Sequence, residues 1–220
     1  MNFLLRYYSL KGTKLFIIIT ICNLAIIWLS QHLLINETVF YNTYSEQLTY
    51  ERSMKLFENM REFEWVSYAL YPIILIIKST FISIVIFTGF FFYNLNNKIS
   101  FGLVFKVVLG SEVVFLIASL SKLLWLYFFG GNYDLNDIGF FYPLSVINIF
   151  NINEVARVWI YPLQILNFFQ ILYIISLSYG LRNLCLLPEG VADKVVLTSY
   201  LPAMGVWIAF ILFISFDISL

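Results

Sequence analysis

Three charged residues stand where charge is expensive. Lys78, Glu112 and Lys122 each fall inside a long apolar run, and a charge within a membrane-crossing helix persists only with a partner, a water-filled cavity or a route to the interface. An ammonium and a carboxylate that face each other at such depth can neutralise one another, relay a proton or hold a solute. The runs Trp65 to Tyr93 and Phe101 to Phe129 read as two helices of a hairpin folded around Asn96 to Ser100, which sets Lys78 opposite roughly Leu116. Four residues of helix is about 6 Å, comparable with a lysine stem, so a Lys78 to Glu112 ion pair is within reach. At about 100° per residue, Glu112, Ser119 and Lys122 share an arc of about 80°, a candidate polar seam. Three readings compete: a neutralising pair with a snorkelling Lys122, an ion or proton pathway, and a lipid headgroup site.

A second polar strip, Gln164, Asn167 and Gln170, advances in i+3 steps and suits hydrogen bonds between helices. Pro72, Pro162 and Pro202 can kink the helices that contain them. Gly110, Ser111, Ala118 and Ser119 are small enough for close helix contact. Catalytic chemistry finds little to use. The one histidine, His32, has no obvious partner for a dyad, and no HExxH, GxSxG, Walker A or GxGxxG pattern occurs. Cys22 and Cys185 lack metal-ligand spacing and are expected to be free thiols. We therefore expect no catalytic residue, no cofactor and no metal. The Asn36-Glu37-Thr38 sequon abuts an apolar run and reads as chance.

The elements that carry these residues are those of an all-α polytopic membrane protein. The 220 residues are 61% hydrophobic and 12% charged, with mean hydropathy +0.86, far from the roughly one-quarter charged composition of soluble domains. Net charge is zero, so no basic field recruits nucleic acid. Five runs, 15–35, 65–93, 101–129, 158–181 and 197–216, are each long enough to cross about 30 Å of hydrocarbon as a helix, within one membrane domain spanning 1–220. The first reads as an uncleaved signal anchor rather than a cleaved leader, because it is too long and no small-residue cleavage pattern follows.

Lys and Arg set the orientation. With the N-terminus cytoplasmic and the C-terminus extracytoplasmic, the inner face carries Arg6, Lys11, Lys14, Lys98, Arg182 and Lys194, opposed by Glu189 and Asp193. The outer face is acidic, with residues such as Glu46, Asp134 and Asp217. Tyr7, Tyr8, Trp65, Trp125, Trp159 and Tyr161 lie near run ends and are expected at headgroup level. In the extracytoplasmic segment 36–64, Tyr50, Met54, Phe57 and Met60 form an apolar stripe at helical spacing, opposite Glu51, Arg52, Lys55, Glu58 and Glu62. That predicts an amphipathic helix whose stripe caps the bundle or docks a partner. The segment 130–157 contains an apolar stretch, Ile138 to Phe150, too short to span and expected to be interfacial or re-entrant.

The order of features resembles the Yip1-domain family, especially its divergent bacterial five-span members. The resemblance runs from about residue 40 to 216. It rests on the Glu/Arg/Met-rich stretch before a long helix, the linker from Phe90 through Asn94-Leu95-Asn96-Asn97-Lys98 to Phe101, and Tyr142-Pro143-Leu144-Ser145. Leu166-Asn167-Phe168-Phe169-Gln170 and the terminal Ser178-Tyr179-Gly180-Leu181 complete it. The acidic DLYGP signature of eukaryotic members is absent, and the N-terminal region of about fourteen residues leaves little for binding trafficking GTPases. The resemblance implies a five-span fold in a bacterial cytoplasmic membrane rather than an activity. The leading expectation is a non-enzymatic scaffold or accessory subunit, associating with itself or with other integral membrane proteins in the lipid bilayer. The alternative is a small transporter or channel subunit with an intramembrane charged pathway.

Overall fold

The computed structural model describes residues 3–45, 47–95, 99–131, 133–151, 154–188 and 190–219. Asn96, Asn97 and Lys98 of the expected linker, together with Glu46, Asn132 and Glu189, lie outside the described residues, as does the side chain of Asp217. The described chain is helical, with no strand.

A short α1 (Phe3–Ser9) precedes α2 (Gly12–Leu33). Two polar helices follow, α3 (Glu37–Tyr44) and α4 (Tyr50–Glu62), then the long α5 (Glu64–Phe92). The run 101–129 forms α6 (Phe101–Ser111) and α7 (Val113–Phe129), jointed at Glu112. There the Glu112 N–H reaches the Leu109 carbonyl at 3.2 Å, three residues back, a tighter turn than the α-helix makes. A loop segment with the short α8 (Leu135–Phe140) and a 3-10 turn (Val146–Ile149) leads to α9 (Arg157–Ile165), α10 (Phe168–Leu184) and α11 (Val191–Ser219).

Four stretches are long and apolar enough to cross a membrane: Gly12–Leu33, Glu64–Phe92, Phe101–Phe129 and Val191–Phe216. Their exposure makes the case for lipid. The most apolar windows of the first and last are only 22% and 17% buried, with Ile21, Val206 and Phe213 more than half exposed. Helices apolar all round and left uncovered belong in a bilayer.

The expected fourth crossing, 158–181, is not one helix. Pro162 lacks an N–H to continue the ladder, α9 stops at Ile165, and Asn167 takes an extended backbone (φ −138, ψ 163) to cap α10. The freed backbone groups are stitched to the preceding loop and to the side chain of Asn167. Val146 N–H donates to the Leu166 carbonyl at 2.9 Å, and Phe168 N–H to the Leu144 carbonyl at 3.1 Å. Ser145 Oγ donates to the Leu163 carbonyl at 2.7 Å, and Asn167 Nδ2 to those of Gln164 and Ile165. Leu144 accepts a left-handed φ of 54° to make this junction. Such closure is what irregular backbone inside a membrane protein requires.

The main core joins α5, α6, α10 and α11 through Ile86, Phe90, Val107, Tyr173, Leu177 and Val195, all fully buried. Two glycines set the helix spacing: a Cβ at Gly89 would meet Ser199 Cβ at 2.8 Å, and one at Gly180 would meet Val107 Cγ1 at 2.6 Å. The outlying α2 packs through Leu15 and Ile19 against Leu75 and Leu109, and through Ile26, joined by Leu34 just past its end, against Leu123 and Leu126.

Tyr7 and Tyr8 do not sit in an aromatic belt. Tyr8 is 2% exposed, its hydroxyl 2.9 Å from Ser111 Oγ and 2.7 Å from Ser176 Oγ, and its ring lies on the bare faces of Gly110 and Gly180. Tyr7 donates to the Gly110 carbonyl at 3.0 Å. Small residues on α6 and α10 left a slot, and a short helix carrying two phenols fills it. Burial raises both phenol pKa values, although the hydrogen bonds from Ser111 and Ser176 hold that of Tyr8 back.

Candidate functional site

The hairpin of α5 and α6 brings Lys78 to Glu112. Lys78 Nζ donates to Glu112 Oε2 at 2.7 Å, and Tyr173 of α10 donates its hydroxyl to Glu112 Oε1 at 3.1 Å. The joint between α6 and α7 is what presents the carboxylate to both. The ammonium also lies 4.0 Å from the centroid of the Phe115 ring, a cation–π contact. The two partners differ in access. The Glu112 side chain is 5% exposed, whereas that of Lys78 is 40% exposed.

What Lys78 faces is a cavity of about 630 Å³, within the roughly 300–1,000 Å³ range of small-molecule sites. Beside Lys78 it is lined by Phe115 of α7, Tyr161 of α9, Gln170 of α10, and Tyr200 and Trp207 of α11. Ile165 and Gln170, which flank the break between α9 and α10, both reach it. Gln170 Nε2 donates to the Tyr200 hydroxyl at 2.6 Å, and Trp207 Nε1 to the Tyr161 hydroxyl at 2.8 Å. Below this level, towards the hairpin end, Tyr8 and its serine partners close the space between α6 and α10. From the loop side comes Tyr142, whose phenol is pushed up to about 12 by burial and then by the Glu112 carboxylate.

The other sequence candidates fall elsewhere. Lys122 lies about 15 Å along the helix from Glu112 and, among the described residues, makes no ion pair or hydrogen bond, so the three charges do not form one cluster. Of the polar strip, Gln164 and Gln170 bond to other helices, Gln164 to α8 and Gln170 to α11. Gln164 Nε2 donates to the carbonyls of Gly139 and Phe140 at the end of α8, and Asn167 caps α10 by accepting from Gln170 N–H at 2.8 Å. Along α4, Phe57 is buried against Phe40 of α3, with ring centroids 5.4 Å apart, and Tyr50 lies against Tyr41 at 5.3 Å. Met54 and Met60 are half-buried beside them. His32 stacks on Trp28 within α2. Among the described residues no cluster of His, Cys, Asp or Glu has the makings of a metal site.

Sequence reasoning missed Tyr173, Tyr200 and Tyr161. Tyr173 and Tyr200 read as ordinary aromatics of apolar runs and Tyr161 as a headgroup-level aromatic, and only the fold turns Tyr173 to Glu112 and brings Tyr161 and Tyr200 to the cavity wall. Comparison with known proteins matches no family model, no curated protein and no solved structure.

Proposed function

We propose that this integral membrane protein is a small transporter or channel subunit that handles a solute at Lys78, Glu112 and Tyr173, without catalysing a reaction. One observation carries the reading: the cavity joins a mid-span ammonium to the break in a helix pair. Interrupted helices inside a bundle are tolerated where they are buried in protein or line a cavity, and secondary transporters bind substrate at such breaks. The scaffold or accessory-subunit reading is the weaker one, since Phe57 of the α4 stripe is covered by Phe40 of the same chain.

The topology in this proposal has five crossings, with α9 and α10 together making a discontinuous fourth. The N-terminus is cytoplasmic, and α3, α4 and the α8 loop lie on the extracytoplasmic side of a bacterial inner membrane. The order of features resembling the Yip1-domain family supports the crossing number, and the Lys/Arg asymmetry supports the orientation.

The experiment is cysteine accessibility. Ala203, which lines the cavity, is changed to Cys in a Cys22→Ser/Cys185→Ser background and exposed to a membrane-impermeant sulfonated maleimide in vesicles of each orientation. Labelling from one face is expected. Protection from both faces would mean a bundle sealed to water, and the accessory-subunit reading would replace this one.

A further inference from the structure

The chemistry of the cavity wall narrows what it can hold. We infer that the space between α5 and α11 binds a neutral, lipid-soluble molecule with a planar, carbonyl-bearing ring and an apolar tail; this rests on the ligand-site reading above. Three observations lead there.

The first is the balance of donors. The Tyr200 hydroxyl accepts from Gln170 and the Tyr161 hydroxyl accepts from Trp207, so each phenol keeps its own O–H, with no acceptor among the described residues. Lys78 spends one N–H on Glu112 and has others to give. A head group here meets an ammonium and two hydroxyl donors, and must bring acceptors.

The second is charge. Glu112 already neutralises Lys78 at 2.7 Å. A carboxylate or phosphate would add an unbalanced negative charge close to the middle of α5, where ionised groups are poorly tolerated. A carbonyl oxygen takes the same hydrogen bonds and adds no charge.

The third is shape and route. Phe81, Phe115, Tyr161, Tyr200 and Trp207 give the wall flat ring faces suited to stacking on a planar group. Phe81 on α5 and Trp207 on α11, which line the space, are 58% and 43% exposed, so it is not sealed, and between two membrane-crossing helices its opening faces lipid. α5 and α11 meet closely at Gly89 and Ser199 and are parted at the cavity, whose α5 wall from Ile74 to Val85 extends for about 16 Å. That is a groove for a chain entering from the bilayer.

The test uses the full-length protein in nanodiscs and two probes, decylubiquinone and decanoate, which share an apolar tail and differ in head group. Binding is read as quenching of tryptophan fluorescence and as protection of Ala203→Cys from maleimide. Decylubiquinone is expected to quench saturably, to lose most of that quenching in Trp207→Phe, and to bind at least about tenfold more weakly to Lys78→Leu/Glu112→Leu. Decanoate is expected to bind at least about tenfold more weakly than the quinone to the wild-type protein. Equal or tighter binding of decanoate overturns the neutral-carbonyl assignment. Failure of the quinone to quench or protect, with Ala203→Cys still labelled, overturns this inference and leaves the ligand-site reading standing. An Ala203→Cys that is never labelled removes that reading as well.

Discussion

Lys78 is the midpoint of α5 (Glu64–Phe92), about 21 Å from either end, so its stem of about 6 Å cannot carry the ammonium to an interface. That fixes what happens when the pair is broken. Lys78→Leu strands Glu112, 5% exposed, with only the Tyr173 hydroxyl for company, and breaking a buried pair from one side costs about 3–5 kcal/mol. Glu112→Leu leaves an ammonium that is 40% exposed and removes the acceptor of Tyr173, for a smaller loss of about 1–3 kcal/mol, mostly the orphaned hydroxyl. The double variant carries no charge. Its remaining penalty is the orphaned Tyr173 hydroxyl, about 1–3 kcal/mol, offset in part by two apolar side chains in an apolar setting. The double-mutant cycle should therefore return a coupling of at least about 3 kcal/mol. The assay is reversible unfolding in mixed micelles titrated with dodecyl sulfate, followed by tryptophan fluorescence and helical circular dichroism. A coupling of about 1 kcal/mol or less, the range of exposed ion pairs, would mean that water solvates Glu112 as freely as Lys78, and the account of a one-sided site would be wrong.

Other perturbations follow from the same geometry. Asn167→Ala should cost about 1–2 kcal/mol in the same assay, since the Gln170 N–H loses its cap, whereas Asn167→Asp keeps the cap oxygen and should cost less. Gly180→Ala drives a Cβ to 2.6 Å from Val107 Cγ1 and 3.1 Å from the Tyr8 ring, so a loss of about 1–3 kcal/mol and faster proteolysis of α1 are expected. Burial pushes the Cys185 thiol up to about 12. Because only the thiolate is alkylated, its reaction with iodoacetamide in a Cys22→Ser background should be far slower at pH 8 than that of an ordinary thiol, and should rise about tenfold for each pH unit until near pH 12. A rate that levels off near pH 9 would show an unshifted thiol.

The charged pair was legible because helix geometry is rigid. A rise of 1.5 Å per residue and a short linker fix which residues of two antiparallel helices share a level, which sets Lys78 about one turn from Glu112, a gap the lysine stem bridges to make the 2.7 Å pair. The break in the 158–181 run was not legible from hydropathy, which sums apolar residues without regard to backbone continuity. Its local signals were present: Pro162, then Asn167 followed three residues later by Gln170, the spacing of a helix start. Read as a strip of helix-joining amides, Gln164 and Gln170 do join helices, to α8 and α11, whereas Asn167 turns back on the carbonyls of Gln164 and Ile165 and caps α10 at the break. Tyr8 misled for a related reason. An aromatic beside a run of positive charge fits a membrane interface equally well, and nothing local distinguishes that from a slot built by Gly110 and Gly180 more than a hundred residues away. Lys122 shared an arc with Glu112 on a helical wheel, but a wheel projects away the axial distance that keeps them apart.

The seating of Tyr8 also constrains how the protein is made. Tyr8 is synthesised 103 residues before Ser111 and 168 before Ser176, so its slot does not exist while the early helices are being inserted. α1 must wait at the membrane surface, and its docking comes after α10 has joined α6. A ribosome stalled before Ser176 should hold a chain whose α1 is open to protease, and one stalled well beyond α10 should hold a chain whose α1 is protected. Closure of this slot therefore marks the moment α10 joins α6, reported by residues near the beginning of the chain.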